Sequence, residues 1–572
     1  MQQQQGHGVA ASGRDGRGRR FARGARRIAL LALTALAAGL LRGGPARGAA
    51  ITIPLEPDAV VFGDGAYGNL TVRALADLNA DGASDALLDY SVKARGAQQN
   101  QQDVLLGRAD WPARTQLKDL PGLESLGIPY IPADLGSRND APFYGFRAFL
   151  DADGDGVGDL ASYAQQRRNS EILREETKLY LGGAGWRTPD ISRTPPQLTI
   201  VQDQVPQDLF QAATRPMIDH LLAGDFDGDG DQDLAIGTCH VARGMTADTG
   251  QAGTLRLYLS PPGGPRNISL RGGQADVKLT GAVGPTLGCF EAFAGDFDGD
   301  GRDDLLVSAP NLTEAGGSYA ALLLGRTAWP AEAEIADLAD RRFVLGGQAG
   351  GARALDARDL DGDGLPEVVV EYGQGLRRQG YCAWPGGPDR PALADAEACP
   401  LRFSDQIYDA AGDLDADGRL DLVFTLPRKT VEDPTLRYAV LLGPLGPGPI
   451  AIGEAPGSGT GDLLLETAND QGRPEWWLAD LSGDGRDDLI LSRPSAPNPA
   501  GDDFAGRIEI LLGPIIDPAL LPPTATPEPT LVPPRPTPVA SPTPEGPAPT
   551  ATPGGSDGGQ IYLPLGLRGQ AL

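Results

Sequence analysis

Residues 296–310 read DFDGDGRDDLLVSAP. The first nine put carboxylates at positions 1, 3, 5 and 9 (Asp296, Asp298, Asp300 and Asp304) and a glycine, Gly301, at position 6. In a tightly turning loop, side-chain oxygens at alternate positions converge on one centre, and glycine at position 6 supplies the positive φ that closes the turn. With a backbone carbonyl at position 7 and the carboxylate at position 9, the cage is all oxygen and suits a hard cation such as Ca²⁺. What comes next decides the fold. A helix–loop–helix calcium site continues as a helix with a Glu at position 12, whereas Leu305-Leu-Val-Ser is a short, β-prone apolar run. The loop therefore joins two strands.

The same nine residues recur seven times, at intervals of 74, 74, 71, 63, 54 and 67 residues, a spacing of supersecondary size. The candidate ligands at positions 1, 3, 5 and 9 are Asp77, Asn79, Asp81 and Asp85; Asp151, Asp153, Asp155 and Asp159; Asp225, Asp227, Asp229 and Asp233; Asp296, Asp298, Asp300 and Asp304. The last three copies carry Asp359, Asp361, Asp363 and Glu367; Asp413, Asp415, Asp417 and Asp421; Asp480, Ser482, Asp484 and Asp488. Position 6 is glycine every time. Asp-Gly turns also occur as plain hairpin signals without metal. Here 26 carboxylates crowd seven small loops and repel one another unless a cation intervenes. Asn79 and Ser482 each remove a charge, so the first and seventh of up to seven Ca²⁺ sites are expected to be the weakest.

About 30 residues after each loop begins comes another short strand, usually followed by glycine, as in Val104-Leu-Leu-Gly107, Leu179-Tyr-Leu-Gly182 and Ile508-Glu-Ile-Leu-Leu-Gly513. Two units continue in matching tails, GRADWPARTQLKDL (107–120) and GRTAWPAEAEIADL (325–338). Each unit thus reads as strand, metal loop, strand, loop, strand and a fourth strand in the variable remainder. Seven such units predict an all-β chain, a seven-bladed β-propeller of four-stranded antiparallel blades over residues 51–518. Little sequence follows Gly513 before a proline-rich tract, so Ile51-Thr-Ile-Pro-Leu55 is expected to complete the last blade beside Ile508–Leu512 and close the ring.

These loops and their apolar continuations resemble FG-GAP/VCBS repeats, the unit of the integrin α-subunit propeller and of many secreted bacterial proteins; 296–310 carries the likeness best and it extends over roughly 57–518. The resemblance implies calcium bound by the loop carboxylates on one face and ligands met on the opposite face.

The ends of the chain differ from this middle. Residues 1–50 hold nine Arg against one Asp, then an apolar run at 28–41 and the small-residue segment PARGAA, the pattern of a secretory signal peptide. Residues 519–559 form a Pro/Thr-rich tract expected to run as an extended, disordered spacer, and 560–572 end in an apolar tag. The chain is read as exported, secreted or held at the cell surface, with possible attachment to the envelope through this tail. The formal charge of −27 disfavours nucleic acid as a partner, and no other stretch is apolar enough to span a membrane.

Cys239, Cys289, Cys382 and Cys399 suggest disulfides in an exported chain, with three connectivities open and 239–289 together with 382–399 favoured. His220 and His240 flank the third loop, but no HExxH or Gly-x-Ser-x-Gly motif accompanies them. Trp186, Trp384, Trp476 and Trp477 are either blade packing or sugar platforms. With its carboxylates allotted to metal and no catalytic set, the chain is expected to be a binding or adhesion module for an extracellular protein or glycan rather than an enzyme. The alternatives are a polysaccharide-active lyase or hydrolase on the same scaffold, or a passive display domain.

Overall fold

The structure, a computed structural model, describes residues 51–520 apart from parts of the connecting loops, the longest such stretches being 127–141, 204–213, 243–252 and 451–462. The leader at 1–50, the tract from 521 onward and the terminal apolar tag lie outside the described residues. Among the described residues the chain is all-β, with helical structure confined to single turns at Leu117–Asp119, Ile335–Leu338 and Pro518–Leu520. No helix there is long and apolar enough to cross a membrane.

Every run after a nine-residue loop is a strand: Asp85–Ala94, Asp159–Arg168, Asp233–Ala242, Asp304–Glu314, Glu367–Gln374, Asp421–Thr425 and Asp488–Arg493. Each is the second strand of its own sheet, antiparallel to the strand before the loop and to the strand that follows, so the described strands form seven sheets. The second strands read as unbroken apolar runs because both of their faces are buried. Leu305 and Val307 pack toward the preceding sheet, with Leu257 and Leu279, while Leu306 packs toward the following one, with Val368 and Val370.

This alternation repeats throughout. Seven apolar clusters each join one sheet to the next in chain order. The last of them joins the seventh sheet to the first, packing Trp477, Ile490, Ile508 and Ile510 against Leu70, Leu75, Ala86 and Leu88. The hydrophobic core is therefore a cyclic series of inter-sheet layers.

Closure takes a different form from the one expected. Ile51–Pro54 does not pair beside Ile508–Leu512; it runs parallel to Leu463–Glu466 at the outer edge of the sixth sheet. Ala59–Phe62 takes the place in the seventh sheet, antiparallel to Arg507–Ile510 on one side and parallel to Arg114–Gln116 on the other. A strand with neighbours on both sides needs every N–H, so Pro54 fits only an edge. Ala59 and Val61 are also the residues whose side chains reach the layer between the seventh and first sheets. Ile516 does not pair there either; its N–H donates to Leu414 O at 2.9 Å.

The expected four strands per sheet become five in six of the seven. In each of these a short parallel strand arrives from the outer connection of the next unit: Arg266–Ser269, Glu332–Glu334, Leu393–Ala394, Gly448–Ile450, Ile51–Pro54 and Arg114–Gln116 for the second to seventh sheets. The matching tails at 107–120 and 325–338 contain two of these lapping strands, each followed by a helical turn whose first residue, Leu117 or Ile335, is buried. The N-terminal segment 51–62 performs the same two tasks for the seventh unit that a third-to-fourth connection performs in the others.

Cys382 is fully buried and disulfide-bonded; Cys289 and Cys399 fall outside the described residues. Trp384, Trp476 and Trp477 are buried in inter-sheet layers and Trp186 packs against one, so all four serve packing. His220 and His240 lie on adjacent strands but not opposite each other: His220 faces Gly237, and His240 faces Pro216.

Candidate metal-binding face

The seven loops share one backbone design. The first Asp accepts the N–H of the position 6 glycine on Oδ2, from Asp77–Gly82 at 2.8 Å to Asp480–Gly485 at 2.7 Å. Its Oδ1 accepts the N–H of position 5 at 3.0–3.2 Å. In six loops the position 5 carboxylate in turn accepts the N–H of position 7. The position 6 glycines adopt φ between +81° and +91°, which explains their invariance within the chain. Position 4 is left-handed too, and five loops use glycine there; Ala80 (φ 57°) and Ala416 (φ 61°) adopt it at a cost.

The position 9 residue behaves differently from the other three. Asp85, Asp159, Asp233, Asp304, Glu367, Asp421 and Asp488 are all buried. One oxygen accepts a backbone N–H at the start of the loop, as in Asp304 with Phe297 N at 3.0 Å. The other accepts from the glycine that ends the third strand, as in Asp85 with Gly107 N at 2.8 Å and Asp421 with Gly443 N at 2.9 Å. This carboxylate therefore staples loop to sheet whether or not it also ligates an ion. The glycine is required for space: a Cβ on Gly182 would lie 2.2 Å from Gly158 O and one on Gly107 2.6 Å from Ser84 O.

Burial dominates the electrostatics of position 9. It pushes Asp85, Asp159, Asp304 and Glu367 up to about 7, Asp421 to about 8 and Asp488 to about 6, partly offset by the backbone N–H donors and reinforced by neighbouring loop carboxylates. Burial and the adjacent carboxylates also raise Asp153, Asp298 and Asp415 at position 3. Each loop carries more carboxylates than cations, although Arg302 pairs with Asp300 and Arg419 lies 3.9 Å from Asp417.

Five loops bring three carboxylates within 4.8 Å of one another: Asp151, Asp153 and Asp159; Asp225, Asp227 and Asp229; Asp296, Asp298 and Asp300; Asp359, Asp361 and Glu367; Asp413, Asp415 and Asp421. The first and seventh loops keep the same backbone design with Asn79 and Ser482 at position 3; Asn79 donates to Asp81 Oδ2 at 3.1 Å and Ser482 to Asp480 Oδ1 at 3.4 Å. The donor set is all oxygen and fits a hard divalent cation, although the position 1 Oδ1 already accepts two backbone N–H groups in four loops.

Position 2 went unnoticed in the sequence. Leu78, Phe226, Phe297, Leu360, Leu414 and Leu481 bury their side chains in the inter-sheet layers. Their carbonyls face the next unit: Leu481 O accepts from Arg108 N at 2.8 Å, Leu78 O from Gly183 N at 3.0 Å, Phe226 O from Arg326 N at 3.0 Å and Phe297 O from Gly387 N at 2.8 Å. Position 8 N–H groups reach back to position 1 carbonyls of the preceding loop, Ser84 to Asp480, Gly158 to Asp77 and Asp303 to Asp225, at 2.7–2.9 Å. The alternation of apolar residue and Asp that opens most copies was the available signal. Among the described residues such bonds tie five of the seven junctions between successive loops, including that of seventh and first.

Residues 292–321 match the FG-GAP repeat family model. A search of curated proteins returns no match. Among solved structures, the chain is similar at low level to Bacillus licheniformis rhamnogalacturonan lyase PL11, with 12% identity, 81% of this chain and 76% of that one covered, and a TM-score of 0.34. It is likewise similar to the exotype rhamnogalacturonan lyase YesX, with 12% identity, 78% and 73% covered and a TM-score of 0.31, and to rhamnogalacturonan lyase YesW, with 14%, 82% and 92% covered and 0.26. The family match falls on the fourth loop and the strands on either side of it, so this unit of the chain is similar to an FG-GAP repeat.

Proposed function

We propose that the chain is an exported, seven-bladed β-propeller whose loop face binds calcium and whose opposite face binds an extracellular protein or glycan. The observation that carries this reading is the set of seven like-built acidic loops, five of which bring three carboxylates within 4.8 Å of one another. Bound Ca²⁺ offsets the excess negative charge of these pockets, and up to seven ions are accommodated. The residues at positions 1, 3, 5 and 9 hold it, and position 9 keeps its second task of fastening loop to sheet. The Pro/Thr-rich tract projects the propeller from its site of attachment.

The role is binding rather than turnover, because the carboxylates that could form an acid–base pair are committed to the loops. The test is an array of glycans and extracellular proteins probed with the purified, calcium-loaded chain. Reproducible binding without product release supports the reading. Release of product from a polysaccharide overturns it in favour of an enzyme, and silence throughout leaves a display domain.

A further inference from the structure

Position 8 of the loop differs from copy to copy: Ser84, Gly158, Gln232, Asp303, Pro366, Leu420 and Asp487. The two aspartates do something the others do not. Asp303 Oδ2 accepts the N–H of Asp225, the first residue of the preceding loop, at 2.8 Å, while Asp303 N donates to Asp225 O at 2.9 Å. The backbone of that first ligand is thus gripped from both sides by the neighbouring unit. Asp487 Oδ2 accepts the N–H of Asp413 at 2.9 Å in the same manner.

The preceding units are shaped to admit these carboxylates. The residue just before the loop is Gly224 in the third unit and Gly412 in the sixth. A Cβ on Gly224 would lie 2.9 Å from both Cβ and Oδ2 of Asp303, and one on Gly412 would lie 3.0 Å from Asp487 Oδ2 and 2.6 Å from Leu478 Cβ. Where that position is Ala76, Leu150, Arg358 or Ala479, the next unit has no aspartate at position 8. Gly295, the remaining glycine, faces Pro366 at 3.5 Å instead. Space on one sheet and a carboxylate on the next occur together.

We infer that Asp303 and Asp487 are positioning residues that set the calcium affinity of the third and sixth loops by fixing the backbones of Asp225 and Asp413 across the sheet junction. This rests on the calcium reading given above. Asp225 presents its carboxylate to the loop centre while its own N–H is held from outside, so the first ligand is ordered before an ion arrives. Partners that orient a metal ligand in this way contribute about 10–100-fold to affinity.

The experiment compares the full chain with its Asp303→Ala, Asp303→Asn and Asp487→Ala variants, by calcium titration calorimetry and by ion counts from native mass spectrometry. Each alanine variant is expected to weaken one site by about 10–100-fold and leave the others as they were, with Asp303→Asn, which keeps an acceptor oxygen, recovering most of the loss. Calcium uptake that Asp303→Ala leaves unaltered, or an equal loss at every site that Asp303→Asn does not restore, overturns the inference while the calcium reading stands. No uptake by the unsubstituted chain removes both.

Discussion

Deleting residues 51–62 takes away the outermost strand of the sixth sheet and the fourth strand of the seventh, together with the parallel contact to Arg114–Gln116. The buried apolar side chains lost are Leu55, Val60, Val61 and Phe62, with Ala59. At roughly 1.5–3 kcal/mol for each of the four large ones, burial amounts to about 6–12 kcal/mol, an upper bound because the unfolded chain is itself partly compact. An unfolding entropy of about 2.1 cal/mol/K per residue, over a folded region of about 470 residues, gives about 1 kcal/mol/K. The loss therefore converts to a fall of about 6–12 °C in melting temperature, provided that unfolding stays cooperative. A chain beginning at residue 57 loses only the edge strand and is expected to keep most of its stability, whereas one beginning at 63 exposes both faces of the junction between seventh and first sheets. Scanning calorimetry on the two truncations, with a synthetic 51–62 peptide added back to the shorter, measures the difference. If the chain beginning at 63 melts within about 2 °C of the parent, closure by Ala59–Phe62 is not what holds the ends together.

Asp304→Ala leaves the N–H groups of Phe297 and Gly325 without their acceptor, which costs about 2–6 kcal/mol for the two. The loss persists in chelator, whereas exposed Asp300→Ala, which gives up its bonds to Arg302 within the loop, is expected to cost more denaturant stability in calcium than in chelator. Ala416→Gly relieves the left-handed backbone at φ 61° and is expected to tighten calcium at the sixth loop about two- to fivefold, equivalent to about 0.5–1 kcal/mol; an unchanged or weakened titration refutes that. Gly182→Ala, with its new Cβ 2.2 Å from Gly158 O, should lower stability by about 1–3 kcal/mol, while Gly295→Ala, whose nearest neighbour is at 3.5 Å, should fall within about 0.5 kcal/mol of the parent. The pH dependence has a definite sign. Burial holds Asp85, Asp159, Asp304, Asp421 and Asp488 at about 6 to 8, above the ordinary 3.8 of Asp, so without calcium the folded chain binds more protons than the unfolded one and loses stability as pH rises from about 4 to 8. Thermal melts in chelator and in calcium at pH 5.5 and pH 8 should show the larger calcium-dependent gain at pH 8; equal gains at both count against these carboxylates as ligands.

The parts of this molecule legible in the sequence are those enforced by local chemistry. Gly301 and its counterparts mark the turn because only positive φ closes it, and Leu305-Leu-Val announces a strand buried on both faces. Glycines such as Gly182 were visible as punctuation, although their cause, a backbone carbonyl 2.2 Å from any added Cβ, lies in another segment. The lapping strands escaped because Arg114–Gln116 and Glu332–Glu334 are three residues long and largely solvent-facing, too short to display a period. Ile51–Leu55 was placed in the wrong sheet because its alternation is as strand-like as that of Ala59–Phe62, and only Pro54 argued for an edge. Position 9 looked like one ligand among four, since its tie to a glycine some 22 residues downstream leaves no trace in a nine-residue motif. The position 8 aspartates were hidden for a similar reason: their partners belong to the unit before.

The capture of Ala59–Phe62 by Arg507–Ile510 also sets a timetable. The closing strand is among the first folded segments to leave the ribosome, and its partner emerges about 450 residues later, a delay of about 20–90 s at usual elongation rates. Throughout that interval Ala59–Phe62 has Arg114–Gln116 on one edge but not its antiparallel partner on the other, while six sheets assemble around an unfinished seventh. The nascent protein spends most of its synthesis as an open arc with a bare strand edge at each end, the condition in which two arcs can join each other instead of themselves.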